Sequence, residues 1–200
     1  MPPSLARVKP VQQKRSEDMR DRLLEALGSA VDAGEIEAMS VHDIVARAGA
    51  SVGAFYGRFA DKDAALAALL ARRRADFVAG FHEKSQSAAS LDGWARMASA
   101  LALEHARRNR ALLARLEATS LFAEGRIAEV AVIDRLAALF RDRFGVKLSA
   151  PTDAAFALAI IGAMARDAAV HSEGLIASLK TRDWFVEQTA RAVTAYLTPR

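Results

Sequence analysis

From Ser16 onward the apolar residues return at three- and four-residue spacing, and nowhere do they settle into the alternation that marks a strand. Met19, Leu23, Ala26, Leu27, Ala30 and Val31 share one face of a first helix. Ser16 is placed to cap it, Glu17 and Asp18 suit its positive end, and Gly34 ends it. Ahead of it, Met1 to Arg15 holds Pro2, Pro3, Pro10 and the cations Arg7, Lys9, Lys14 and Arg15 without apolar periodicity, which predicts a flexible basic arm over residues 1–15.

The next stretch is short and heavily punctuated. Ser40-Val-His-Asp43 has the spacing of a capping box, so a helix starts at about Val41 and stops at Gly49. A second short helix is predicted from about Val52 to Phe59, and Asp61 then caps a long one with Leu66, Leu69, Leu70, Phe77 and Phe81 on its apolar positions, reaching about Lys84. After a break over Ser85 to Ser90, one helix face carries Trp94, Met97, Leu101 and His105. Further helices are expected at about Arg110 to Ala123, Arg126 to Phe144, and Pro151 to His171. Ser172 to Lys180 reads as a connection, and Thr181 caps a last helix ending near Leu197. The fold class expected is all-α.

Composition narrows the function. At 200 residues with 52% hydrophobic and 26% charged side chains, the chain is long enough for one or two packed domains. Without cysteine it has no disulfide, thiolate zinc site or cysteine nucleophile, and a cytoplasmic setting is expected. The longest apolar run, Ala154 to Ala165, falls short of the ~20 residues a membrane span needs, so no membrane partner is expected. The four histidines, His42, His82, His105 and His171, are dispersed and match no metal or hydrolase motif. No metal, no cofactor and no catalytic residue is assigned. The formal charge of +4 permits an acidic partner without choosing one.

Two short helices joined at a glycine make a helix-turn-helix. Ile44, Val45, Ala48 and Phe55 are its inward positions, while Ser51, Val52, Gly53, Tyr56 and Gly57 form a slim outer surface able to enter a major groove about 12 Å wide. Such a pair also occurs as plain packing in enzymes, so shape alone does not decide between them. The ordered string from Ser40 to Leu66, with Gly49, Ser51, Tyr56, Phe59 and Lys62 in that order, resembles the DNA-binding signature of the TetR (tetracycline-repressor) family. Ala50 and Arg58 depart from its usual valine and histidine, which leaves base preference open.

The resemblance implies a three-helix DNA-binding domain over residues 16–61 and a helical effector-binding and dimerisation domain over 62–200. It implies double-stranded DNA with a palindromic operator as partner, and a homodimer. Ser40, Tyr56 and Lys62 are expected on phosphates, Arg47 toward DNA, and Ser51, Val52 and Gly53 on the groove-facing surface. Val52 is placed against a thymine methyl, and Arg58 against a guanine or a phosphate. The arm is a candidate for the minor groove, a solvated tail being the alternative.

An apolar or aromatic small-molecule effector is expected among Trp94, Met97, Leu101, His105, Leu116, Phe122 and Met164, whose default role is core. Phe156, Ile160, Trp184 and Phe185 are expected at the dimer interface. The function implied is a ligand-responsive transcriptional regulator, a repressor before an activator. A helical-bundle enzyme, or a small-molecule-binding protein without a DNA role, is the alternative.

Overall fold

The computed structural model describes residues 10–119, 121–144, 153–170 and 181–198, without the side chains of 10–14, 122–124 and 126. Among these residues the chain forms nine α-helices: α1 (Pro10–Asp32), α2 (Val41–Ala48), α3 (Val52–Tyr56), α4 (Lys62–Ser85), α5 (Leu91–Arg108), α6 (Arg110–Glu117), α7 (Phe122–Phe144), α8 (Asp153–Val170) and α9 (Arg182–Leu197). It divides into two compact units, residues 1–69 and 70–200. The first therefore reaches two turns beyond the expected limit at residue 61. Ala65, Leu66 and Leu69 of α4 are fully buried, which explains why those turns belong to the first core.

In the first unit α1 starts at Pro10, six residues before the expected cap at Ser16. Proline fits a first helical position because no partner is lost with its N–H, and the glutamines, lysine and arginine that follow are good helix formers even without an apolar stripe. Residues 10–15 are thus helix and not arm, while residues 1–9 lie outside the described residues. Leu23, Leu24, Leu27 and Ala30 turn inward completely, and α1 packs on α2.

The capping box forms as expected. Asp43 N donates to Ser40 Oγ at 3.3 Å, and Ser40 N donates to Asp43 Oδ2 at 2.8 Å. Gly49 closes α2 at φ 59°, ψ 43°, where its N–H reaches Ala46 O. A Cβ at Gly49 would be no nearer than 3.7 Å to any atom, so the backbone angle and not space requires glycine. Asp61 caps α4, accepting from Ala64 N at 2.7 Å.

The second unit is built on Trp94, which is wholly buried on α5. Phe81 of α4 and Phe140 and Phe144 of α7 surround it edge-on, with ring centroids 5.7, 4.6 and 6.3 Å away. Helix α5 also packs against α8 and α9, and Arg96 donates to Glu187 at 3.1 Å across the latter contact. Two expected boundaries moved: α6 stops at Glu117 and α7 already begins at Phe122. Ala118 and Thr119 close the first with three-residue backbone bonds, ending a run that apolar spacing alone carried to Ala123. The expected starts at Pro151 and Thr152, and the connection over 172–180, lie outside the described residues. No helix among the described residues is long and apolar enough to cross a membrane.

Replacing Gly49 with alanine places a Cβ in the left-handed region at a cost of about 1 kcal/mol. Thermal unfolding of Gly49→Ala should therefore show a Tm several degrees below that of the parent protein; an unchanged Tm would remove this glycine from the account of the turn.

Candidate nucleic-acid interface and ligand chamber

Helix α3 has five residues, and only Phe55 among them is buried, at 0% exposure. Its ring lies 5.4 Å from those of both Tyr56 and Phe59, so an aromatic peg fixes one side of the helix while the other stays open. Tyr56 is 54% exposed, Ser51 and Gly53 are exposed, and Val52 is half-buried. Ser51 is also the N-cap, accepting from Ala54 N at 3.1 Å. A Cβ at Gly53 would meet nothing nearer than Ser51 Oγ at 3.9 Å. The fold of this unit does not require glycine there, yet its absence of side chain keeps the surface between Val52 and Tyr56 low.

The polar residues expected beside this surface are more occupied than their sequence suggests. The Ser40 hydroxyl donates to Asp43 Oδ2 at 2.6 Å while accepting from Asp43 N, so it presents no donor outward in this arrangement. Those bonds hold the Asp43 carboxyl below its ordinary range. Arg47 is exposed and pairs with Glu35 at 2.9 Å, a surface ion pair that a phosphate can replace at small cost.

Arg58 and Lys62 are engaged within the unit. Arg58 donates to Ala54 O at 2.9 Å and to Ser16 Oγ at 3.2 Å, tying the end of α3 to α1 and leaving the residue half-buried. Lys62 donates to Ile36 O and, at 2.7 Å, to Met39 O, so its ammonium clasps the α1–α2 loop. Arg22 was not anticipated. Its Nη1 lies 3.7 Å from the position of a Cβ at Gly49, which places a cation over the α2–α3 turn. Its exposed place on α1, off the apolar stripe, was the available signal.

The second unit encloses a chamber of about 100 Å³ between α4, α5, α6, α7 and α8. Phe77, Phe81, Ile133, Leu136, Leu158 and Ile161 supply much of its apolar wall, and Arg74, His105, Glu129 and Arg166 the polar one. A smaller chamber of about 30 Å³ shares Arg74, Leu113, Glu129 and Arg166 with it, and adds Leu116 and Glu117. Arg166 is ion-paired with Glu129, both largely shielded from solvent.

His105 stacks on Phe77 with ring centroids 4.6 Å apart, while Asn109 bridges to it from Arg73, accepting from Arg73 Nη1 at 3.0 Å and donating to His105 O at 2.8 Å. Burial first, and then the charges of Arg74, Arg73 and Arg108, push the His105 pKa down to about 4. No cluster of three or more potential metal ligands occurs among the described residues.

Residues 33–69, spanning the α1–α2 loop through the first turns of α4, match the family of bacterial regulatory proteins described as the tetR family. Over these residues, which hold α2, α3 and the turn between them, the chain carries a segment of that family. The match is to a family of regulators and not of enzymes. No functionally curated relative matches it.

Solved structures share its fold along nearly the whole length. A TetR-family regulator from Pectobacterium atrosepticum superposes with a TM-score of 0.65 at 20% identity, covering 94% of this chain and 99% of its own. A transcriptional regulator from Rhodococcus sp. Rha1 does so at 0.63 and 25% identity, covering 89% and 95%. FadR from Bacillus subtilis, solved with stearoyl-CoA, gives 0.59 at 12% identity, covering 89% and 99%.

Within this TetR-family fold, the residues expected in the effector pocket separate. His105 lines the larger chamber and Leu116 the smaller. Trp94 is instead sealed in the aromatic core, Met97 and Leu101 pack onto that same core, and Met164 packs beside Phe185. The reason is geometric: a helix buried by neighbours on several sides repeats apolar residues toward all of them, and only one side meets the chamber. The side chain of Phe122 lies outside the described residues. Arg74, in the run Arg72-Arg73-Arg74, is a chamber residue, and Phe77 was visible only as an apolar helix position.

Of the expected dimer contacts, Phe156 is 54% exposed and stacks on Tyr196, which is 47% exposed. Ile160 is half-buried, and Trp184 packs on the small cluster around Phe185. Phe185 is buried within its own chain at 3% exposure and is not available to a partner.

Since His105 is neutral in the folded protein, the unfolded chain takes up its proton first. The stability this contributes is complete above about pH 6.5 and declines as the pH falls toward 4, by a total on the order of 3 kcal/mol. An NMR titration should find His105 uncharged at pH 5, and His105→Gln should flatten the stability slope between those values. A protonated His105 at pH 5 would contradict the burial described.

Proposed function

We propose that this protein is a TetR-family transcriptional repressor that binds an inverted-repeat operator as a homodimer and is released when a small apolar or aromatic molecule occupies the chamber. The observation that carries the DNA reading is the open face of α3, with Tyr56 and Gly53 outward and Phe55 anchoring it from behind. A low backbone flanked by a phenolic hydroxyl suits close approach to a groove edge with a phosphate beside it. Arg22 and Arg47 supply further positive charge on the same unit. Arg58 and Lys62 act on DNA by holding α3 and the α1–α2 loop in place.

Exposed Phe156 and Tyr196 on α8 and α9 support a two-fold interface, which would present two α3 helices to successive turns of DNA. An effector acts only if it binds the DNA-competent and released states with different affinity. Helix α4 is the element to couple them, because Leu66 and Leu69 belong to the first core while Arg74, Phe77 and Phe81 line the chamber. Bacillus subtilis FadR is solved with stearoyl-CoA, so a related fold admits a ligand with an apolar chain.

Selection of genomic fragments by the purified protein at about 0.2 M salt, where unspecific phosphate attraction is weak, tests the reading. Enrichment of an inverted repeat with half-sites about 10 bp apart is expected; a pool without any shared sequence would contradict it. Gly53→Ala should unfold at or above the parent Tm yet bind the selected repeat at least tenfold more weakly, about 1.4 kcal/mol. Phe156→Glu should sediment as a monomer and lose the repeat, whereas a dimeric Phe156→Glu would remove this face from the interface.

A further inference from the structure

The two chambers meet at a wall that is more basic than an apolar ligand requires. Arg74 and Arg166 line both, Glu129 lines both, and Glu117 reaches only the smaller. Each guanidinium carries about five N–H donors and each carboxylate about four acceptor sites, so among the described lining side chains the two arginines bring more donors than the two acids bring acceptors. Among the described residues that line the larger chamber the balance is steeper, because one carboxylate, Glu129, stands beside two guanidiniums and His105 is held neutral. Arg73 and Arg108 stand close enough to His105 to add to the positive potential on this side. Such a wall repels a cation and leaves charged groups poorly solvated beside a neutral hydrocarbon, whereas it gains charge-assisted bonds from an anion.

Size limits the rest of the molecule. A cavity of roughly 150 Å³ holds one benzene ring, so the larger chamber, about 100 Å³ with a further 30 Å³ beyond the polar wall, admits at most one ring, and only with a small outward shift of its lining side chains. The tilted faces of Phe77 and His105 offer a flat surface to it.

Resting on the effector reading of this chamber, we infer that its ligand is a small amphipathic carboxylate. Its apolar body is one ring or a chain of about six carbons, seated between Phe77, Ile133, Leu158 and Ile161, and its acid group joins Arg74 and Arg166. The carboxylate does not need a vacant arginine. It enters beside Glu129 and shares the guanidinium edges of the cluster, converting a balanced ion pair into one that includes the ligand.

Calorimetric titration of the full-length protein with 3-phenylpropanoate, 3-phenylpropan-1-ol and 3-phenylpropylamine separates the body from the charge. The carboxylate should bind at least about tenfold more tightly than the alcohol, and the amine should not bind. Arg74→Met should erase that preference while keeping the alcohol's affinity. Because Arg166→Met alone strands Glu129, Glu129→Gln/Arg166→Met is the partner variant and should behave likewise.

Gly162 lies on the chamber wall with nothing within 4 Å of a Cβ, so Gly162→Leu should fold, fill the space and abolish binding of every probe. Alcohol or amine binding as tight as the carboxylate, still lost in Gly162→Leu, would overturn the anion while leaving the chamber as a ligand site. No binding by any probe, or binding indifferent to Gly162→Leu, would overturn both.

Discussion

The burial of Phe55 decides whether this protein has the open α3 face that is proposed to read DNA. A helix of five residues has too few internal hydrogen bonds to outlast its own conformational entropy, so α3 exists because its one inward ring is taken completely out of water. Full burial of a phenylalanine is worth roughly 2–3 kcal/mol, more than α3 gains from its N-cap at Ser51. Everything around the ring follows from that requirement. Gly49 turns the chain sharply enough to bring Phe55 inward, Arg58 fastens the far end to Ser16, and Lys62 holds the α1–α2 loop by its carbonyls. With the inner side so constrained, Gly53 and Tyr56 are left facing out.

The second unit solves a different problem, that of keeping a space open inside helices that favour closure. Trp94 with Phe81, Phe140 and Phe144 forms a rigid aromatic block on one side of α5. Beside it the small residues Ala98, Ala102, Ala106 and Gly162 leave room that larger ones would have filled. The ionic wall of Arg74, Glu129 and Arg166 resists collapse from the other direction, since closing over charged groups costs more than the apolar area recovers. A chamber adjoining a packed core is thus a consequence of side-chain size and charge together.

What was legible in the sequence is local. The capping box at Ser40, the left-handed Gly49 and the caps at Asp61 and Thr181 depend on residues three or four positions apart, and all appear where spacing placed them. The ordered motif from Ser40 to Leu66 carried the family for the same reason. Partners distant in the chain were not legible: nothing in the order of residues says that Arg58 reaches back to Ser16 or Lys62 to Met39. Nor does periodicity separate Trp94 from Phe77, since both occupy apolar positions on helices and only the packing of neighbours makes one core and the other a chamber wall. Arg74 was hidden inside a run of three arginines, where a solvated face is the ordinary outcome.

The central claim is that occupancy of the chamber and affinity for DNA are one linked equilibrium. The most direct measurement is fluorescence anisotropy of the selected inverted repeat, titrated with the full-length protein in the absence and presence of saturating 3-phenylpropanoate. The parent protein should lose at least tenfold in operator affinity when the chamber is filled, about 1.4 kcal/mol of coupling, and Gly162→Leu should show the same affinity with and without the compound. An operator affinity in the parent protein that does not change while calorimetry shows the chamber occupied would contradict the account.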